Sequence, residues 1–180
     1  MYIIAQVFGF LAAAFCILSF QQNKHKNIIA LQLLGGISFT IHFCLLGIHG
    51  EKAAFTAAAM NLVDVARSLV YINRGKKWAD HVWWVLVFSL MCVLSCILTW
   101  GGPISLLSMG GMILTTISFY LQSPAKVRLL SLPASLLWIV NNLFVKSYSG
   151  ILTEGFNICS MIIAMLRHDL KLFKKKEISK

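Results

Sequence analysis

The sequence predicts an all-α integral membrane protein with seven transmembrane helices. Of its 180 residues, 58% are hydrophobic and only 12% are charged, and polar clusters divide it into apolar runs of about 20 residues. Soluble domains carry about 25% charged residues, whereas about 20 apolar residues in a helix cross the hydrocarbon core of a bilayer. The composition therefore excludes an ordinary soluble domain.

Short polar clusters set the bounds of the predicted spans. Most of these clusters are a few residues long, and several contain lysine, arginine or glycine. Because such short connections leave no room for a crossover, neighbouring helices are expected to run antiparallel. The predicted spans are 2–21, 28–48, 52–72, 81–99, 103–121, 127–146 and 149–167.

The basic residues predict how the spans are oriented. When the loops are assigned alternately to the two sides of the membrane, 13 of the 16 lysines and arginines fall on one side. Lys52 and Lys146 fall on the other side, and Arg67 lies inside the third span. Because cytoplasmic loops carry the excess of basic residues, the N-terminus is expected outside and the C-terminus in the cytoplasm. This bias explains the net charge of +10 by contacts with membrane lipids, so no nucleic-acid partner is expected.

Two stretches of the chain, 17–50 and 116–150, follow the same pattern. Each has Ser-Phe near the end of a span, a short basic loop, and an apolar helix followed by glycine. Both repeats would begin on the same side, with the fourth helix as the link that permits this. The predicted units are a first three-helix bundle at 1–72, a linker helix with its loops at 73–102, a second bundle at 103–168 and a basic cytoplasmic tail at 169–180.

This arrangement resembles the SWEET and SemiSWEET transporters, whose three-helix bundles occur singly or as a 3+1+3 chain. The resemblance rests on the parallel repeat, on Asn61 and Asn157 near the midpoints of the third and seventh spans, and on Trp138, 19 residues before Asn157. It implies that Trp138 and Asn157 line a solute pocket. In the first repeat, Ser38 stands where the second has Trp138, and His42 corresponds to Asn142.

The chain departs from the SWEET pattern at one motif. The Pro-Gln motif of that family stands here as Phe20-Gln21 and as Leu121-Gln122, so the proline hinge is missing in both repeats. Over nearly its whole length the chain also resembles the bacterial inner-membrane proteins of the YgjV type. That resemblance implies a multi-pass protein of the bacterial inner membrane.

Polar residues inside the predicted spans form the candidate site. An unpaired amide in hydrocarbon costs several kcal/mol, so the midspan asparagines are expected to face the interior. They either join helices through hydrogen bonds or converge in a wet cavity that binds a polar solute. His42 is either a core histidine with satisfied hydrogen bonds or a vestibule residue, and Asn141 is expected to join helices. The candidate solute-binding residues are Asn61, Asn157, Trp138, Ser38, His42 and Asn142.

Three charged residues also fall within the predicted spans. Asp64 and Arg67 are three residues apart, which predicts an ion pair on one helix face. The alternative is a cytoplasmic gate or a proton site. Glu154 either reaches the membrane interface, or lies protonated or paired with Lys146 or Lys52 at the mouth of the cavity.

The sequence favours a transporter or facilitator of a small neutral polar solute, such as a sugar or a vitamin precursor, working by alternating access. The alternative is a non-transporting membrane receptor or interaction subunit with the same helical bundle. No H-E-x-x-H, G-x-S-x-G, P-loop or G-x-G-x-x-G motif occurs. An enzyme, a metal and a cofactor are therefore not expected, and the sequence does not indicate an oligomeric state.

Overall fold

A computed structural model describes residues 2–169, which form seven α-helices and a final π-helical turn. The predicted basic tail, from residue 170 onward, lies outside the described residues. Each predicted span contains one helix. The helices are α1 Tyr2–Phe20, α2 His25–Ile48, α3 Ala53–Tyr71, α4 Trp83–Leu98, α5 Ser105–Tyr120, α6 Pro124–Phe144 and α7 Tyr148–Ala164, and the turn is Met165–Asp169.

Five of these helices are long and apolar enough to cross a membrane: α1, α2, α3, α6, and α7 with its continuation to His168. The helices α4 and α5 are apolar but have 16 residues each, or about 24 Å of helix against a hydrocarbon core of about 30 Å. Both are shorter than predicted. In the connection before α5, Gly102 has a φ of +113°, so the chain turns there and the helix begins only at Ser105.

Two helices begin earlier than the hydropathy pattern predicts. Helix α2 starts at His25 and α6 at Pro124, three residues before the predicted bounds in each case. Proline is favoured in the first turn of a helix because its fixed φ suits the helix and its missing N–H would be unpaired there. Lys126 and Arg128, predicted to lie in or beside a loop, therefore belong to the first turns of α6.

Six helices form a closed ring, in which each packs against the next in the order α1, α2, α3, α5, α6, α7 and back to α1. Helix α4 lies outside the ring against α3 and α5. In a ring of six, α1 lies opposite α5, α2 opposite α6, and α3 opposite α7. Most of the order of helices around the ring follows from the short connections between them. Helix α4 crosses back outside the ring, so that α5 begins at the same end of the ring as α3.

Hydrogen bonds show the direction of the helices at the two seams that do not follow chain order. Thr56, near the start of α3, contacts Ser105 at the start of α5, with 3.1 Å between the hydroxyl oxygens. Gln6, near the start of α1, accepts a 3.2 Å hydrogen bond from the amide of Ser149 at the start of α7. The helices of each seam therefore run in the same direction. We call the end of the ring at which α1, α3 and α5 finish the basic end.

Paired glycines allow close contacts between ring helices. A Cβ atom added to Gly35 would lie 2.7 Å from Sγ of Cys16 on α1, and one added to Gly36 would lie 2.7 Å from Oδ2 of Asp64 on α3. A larger residue at either position would have to displace the side chain of Cys16 or of Asp64. Large apolar side chains cover the outside of the ring instead, as at Val7 and Leu62, which are each 60% exposed.

Candidate functional site

A cavity of about 70 Å³ lies inside the ring. A cavity needs roughly 10–15 Å³ to hold one water molecule, so this cavity is large enough for water. All six ring helices contribute to its lining, and α4 contributes nothing. Its most polar lining residues are Asn61, Asp64, Arg67, Asn142, Glu154 and Asn157.

The two midspan asparagines both line this cavity, and both are buried. Nδ2 of Asn61 donates to the carbonyl of Ala57 in its own helix at 2.8 Å. Nδ2 of Asn157 donates to the carboxylate of Glu154, also in its own helix, at 3.4 Å. Within residues 2–169, Oδ1 of Asn157 has no hydrogen-bond partner. The two amides therefore do not join helices within residues 2–169, and both residues belong to the cavity lining.

Aromatic rings form the opposing walls of the cavity. Phe43 on α2 and Trp138 on α6 stack with their centroids 6.2 Å apart, although their helices lie on opposite sides of the ring. Phe39 stacks on Phe43 at 5.7 Å. The indole of Trp138 rests against α5, where a Cβ atom on Gly111 would lie 2.8 Å from Nε1. The aromatic groups therefore meet across the centre of the ring and keep the cavity small.

Asp64 and Arg67 form the ion pair that their spacing predicts, and both residues are buried. The Nη1 atom of Arg67 also donates to the hydroxyls of Thr115 at 3.1 Å and Thr116 at 2.9 Å on α5. Its guanidinium lies 4.8 Å from the ring centroid of Phe119. The pair neutralises its own charge at the cavity wall and joins α3 to α5.

The half-buried carboxyl group of Glu154 lines the cavity, because α7 places it one turn before Asn157 on the same helix face. The predicted pairing of Glu154 with Lys146 is wrong. Lys146 donates instead to Glu51 at 2.9 Å at the surface, and this hydrogen bond raises the pKa of Lys146. No ion pair of Glu154 occurs within residues 2–169.

Two candidate binding residues, Ser38 and His42, do not line the cavity. The hydroxyl of Ser38 donates to Leu34 in its own helix at 3.0 Å. His42 is fully buried, with Nδ1 2.7 Å from the carbonyl of Ala5 and Nε2 2.8 Å from the hydroxyl of Ser147. A carbonyl can only accept, so Nδ1 donates and Nε2 accepts. His42 is thus a core histidine with satisfied hydrogen bonds, the alternative that the sequence left open.

The adjacent asparagines of α6 have different surroundings. Asn142 lines the cavity, and its Oδ1 atom is buried without a hydrogen-bond partner among the described residues. Asn141 lies outside the cavity lining and is fully buried. Neither Oδ1 nor Nδ2 of Asn141 forms a hydrogen bond within residues 2–169, so the predicted role of Asn141 in joining helices is not observed.

The sequence interpretation missed the contribution of α2 to the cavity. Gln32, Gly36, Phe39 and Phe43 all line it. Their spacing of four, three and four residues places them on one face of the helix. This periodicity was visible in the sequence, but the choice of His42 as the polar residue of α2 pointed to a different face.

Two hydrogen bonds at the basic end join helices that are not neighbours in the ring. Nε2 of His25, at the start of α2, donates to the carbonyl of Phe119 near the end of α5 at 2.9 Å. Nη1 of Arg128, near the start of α6, donates to the carbonyl of Phe20 at the end of α1 at 3.3 Å. Phe20 and Phe119 both line the cavity, so these bonds stabilise the part of the lining at the basic end. Cations are favoured at helix C-termini, where carbonyls lack partners.

Comparison with known proteins agrees with this architecture. A family model described as bacterial inner membrane protein, Imp-YgjV, matches residues 3–171. None of the curated proteins and none of the solved structures compared with the chain matches it. The family match extends over nearly the whole chain, and the structure contains five helices able to cross a membrane. The chain is therefore a multi-pass protein of the bacterial inner membrane and belongs to the Imp-YgjV family.

Proposed function

We propose that this protein is a transporter of a small polar solute, which it binds inside the ring and releases by alternating access. The observation that carries the proposal is the cavity, which all six ring helices line and to which five of them, all except α1, contribute polar side chains. Polar groups inside a membrane are costly unless they have a structural partner or a function. Here Asn61 and Asn157 both line the cavity, and neither amide bonds to a neighbouring helix within residues 2–169.

The ring order supports two like-oriented three-helix bundles. Advancing by three positions around the ring takes α1 to α5, α2 to α6 and α3 to α7, as expected for two bundles related by an axis along the membrane normal. The bundles proposed are 1–72 and 103–168, with α4 as their link. On this proposal α4 and α5 also cross the membrane, in a SWEET-like 3+1+3 arrangement. The basic end then faces the cytoplasm and the N-terminus lies outside.

The contacts at the basic end support a specific form of alternating access. Advancing by three positions around the ring replaces α2 by α6 and α5 by α1. The bond from His25 to the end of α5 therefore corresponds to the bond from Arg128 to the end of α1. Each joins one proposed bundle to the other. Opening toward the cytoplasm would break both bonds. Rotation of one bundle against the other would break the two bonds simultaneously. No proline hinge is needed for such a rigid-body movement.

The polar lining also weighs against a non-transporting receptor or interaction subunit. Such a protein needs no polar cavity, and its midspan asparagines would serve to join helices. Neither Asn61 nor Asn157 makes a hydrogen bond to another helix within residues 2–169.

Flux in proteoliposomes tests the proposal. Purified protein is first screened by thermal stabilisation with glucose, uridine and ethylammonium, and the radiolabelled form of each stabilising compound is then used for counterflow. We expect Asn61→Ala and Asn157→Ala to abolish counterflow while still assembling in the membrane. Asn141→Ala is the matched control, because Asn141 is a buried amide outside the cavity lining. Full counterflow in both cavity variants would overturn the assignment.

A further inference from the structure

Among the described residues that line the cavity, three buried side-chain atoms have no hydrogen-bond partner: two acceptors and one donor, Nε of Arg67. Oδ1 of Asn142 and Oδ1 of Asn157 are buried without partners in the described part of the chain. Nδ2 of Asn157 already donates to Glu154, which sets the orientation of that amide. The carboxylate of Glu154 has two acceptor oxygens, and the side chains of Asn157 and Ser135 donate to it. A guest that satisfied these groups would have to supply several donors.

The charges at the cavity wall do not balance. Asp64 and Arg67 neutralise each other, and among the described residues the remaining charged lining residue is Glu154. No charged side chain of α1, α2, α5 or α6 lines the cavity to compensate it. With Glu154 ionised, the cavity therefore carries one negative charge, and an uncompensated charge in this environment is unfavourable.

The aromatic lining also suits a cation. Phe39, Phe43 and Trp138 pack around the same cavity. The faces of aromatic rings attract ammonium groups, and this attraction strengthens when the cation is removed from water. A cavity of about 70 Å³ admits only a few non-hydrogen atoms in this conformation. A large sugar would require the ring to expand.

We propose that the solute of this cavity carries a small ammonium group, which binds between the Glu154 carboxylate, the carbonyl oxygens of Asn142 and Asn157, and the aromatic wall. A primary ammonium supplies three N–H donors for these acceptors and one positive charge that compensates Glu154. This inference rests on the proposed transport function and names its substrate class. It replaces the neutral solute expected from the sequence, because that expectation did not count Glu154 among the solute-binding residues.

Ligand-dependent thermal stabilisation of the full-length protein in detergent tests the inference. The probes are ethylammonium, its neutral counterpart ethanol, and tetramethylammonium, which has the charge without N–H donors. We expect ethylammonium to stabilise the protein, tetramethylammonium to do so less, and ethanol not at all. Glu154→Gln should weaken ethylammonium binding by about 30-fold or more, the effect of removing one partner of a buried charge pair. Glu51→Gln is the control, because it removes a surface carboxylate of an exposed ion pair.

Each outcome bears on either the inference or the transport proposal. Equal stabilisation by ethylammonium and ethanol, or by ethylammonium in parent and Glu154→Gln protein, overturns the ammonium site. The comparison of probes on the parent protein decides the matter even if Glu154→Gln does not fold. Stabilisation by a neutral solute that Asn157→Ala abolishes, without any by ethylammonium, overturns the inference and leaves the transport proposal standing. Binding of ethylammonium without counterflow supports the site and overturns transport.

Discussion

Nε2 of His25 lies 2.9 Å from the carbonyl oxygen of Phe119, across the basic end of the cavity. The two residues belong to α2 and α5, which do not lie side by side in the ring. The bond therefore does not hold adjacent helices together. It connects the two halves of the ring directly beneath a cavity that Phe119 helps to line.

Loss of this bond should open the basic end more often. We expect His25→Ala to increase the rate at which N-ethylmaleimide modifies Cys16, a buried thiol of the cavity lining. A hydrogen bond contributes about 0.5–1.5 kcal/mol, which corresponds to roughly a 2- to 12-fold faster reaction. The measurement is mass spectrometry of protein in which the other four cysteines are replaced by serine.

His49→Ala is the matched control for this experiment. His49 follows the other end of α2 and is exposed, so its removal should leave the Cys16 reaction unchanged. An unchanged rate in His25→Ala would mean that the bond does not restrict access to the cavity.

The buried ion pair predicts non-additive effects on stability. Arg67→Met leaves Asp64 as an uncompensated buried charge and should cost about 3–5 kcal/mol of unfolding free energy. Asp64→Asn together with Arg67→Met removes both charges, so the double variant should be more stable than Arg67→Met alone. Denaturant unfolding, followed by circular dichroism, measures the unfolding free energy of each single variant and of the double variant. A double variant whose loss equals the sum of the two single losses would contradict the coupling.

His42 is expected to affect stability without affecting solute affinity. Its ring joins Ala5 of α1 to Ser147, which caps the start of α7. Because His42→Ala breaks two buried hydrogen bonds and leaves a cavity, it should lower the melting temperature in a thermal scan. Protein that remains folded should bind the probes as the parent does. A large loss of affinity at unchanged melting temperature would instead restore His42 to the binding site.

The glycine pair of α5 offers a matched test of the position of Trp138. A Cβ atom on Gly111 would lie 2.8 Å from the indole Nε1, whereas one on Gly110 would lie 3.4 Å from a methyl carbon of Leu137. We expect Gly111→Ala to push the indole toward the cavity and weaken binding of the ethylammonium probe. Gly110→Ala should bind it normally and be equally or more stable, because alanine favours helix by about 1 kcal/mol. Equal binding by both variants would show that the indole does not limit the cavity.

The elements were predictable because hydropathy and chain breaks act locally. Every predicted span contains one helix, with errors confined to the ends, where polar residues such as His25 and Lys126 continue a helix into the predicted loop. A basic loop and the first turn of a helix have similar compositions, and only hydrogen bonding distinguishes them. The ion pair of Asp64 and Arg67 was predictable for the same local reason, since three residues separate it on one helix.

The rotation of each helix about its own axis could be decided only by tertiary packing. His42 and Phe43 are adjacent and differ by about 100° around α2, and Phe43 faces the cavity while His42 faces α1 and α7. The same holds for Asn141 and Asn142 on α6. The sequence by itself determined a helical membrane protein with polar residues inside its spans. Only the closing of six helices into a ring decided which of those residues, Glu154 among them, share one cavity, because the contacts across that ring join residues far apart in the chain.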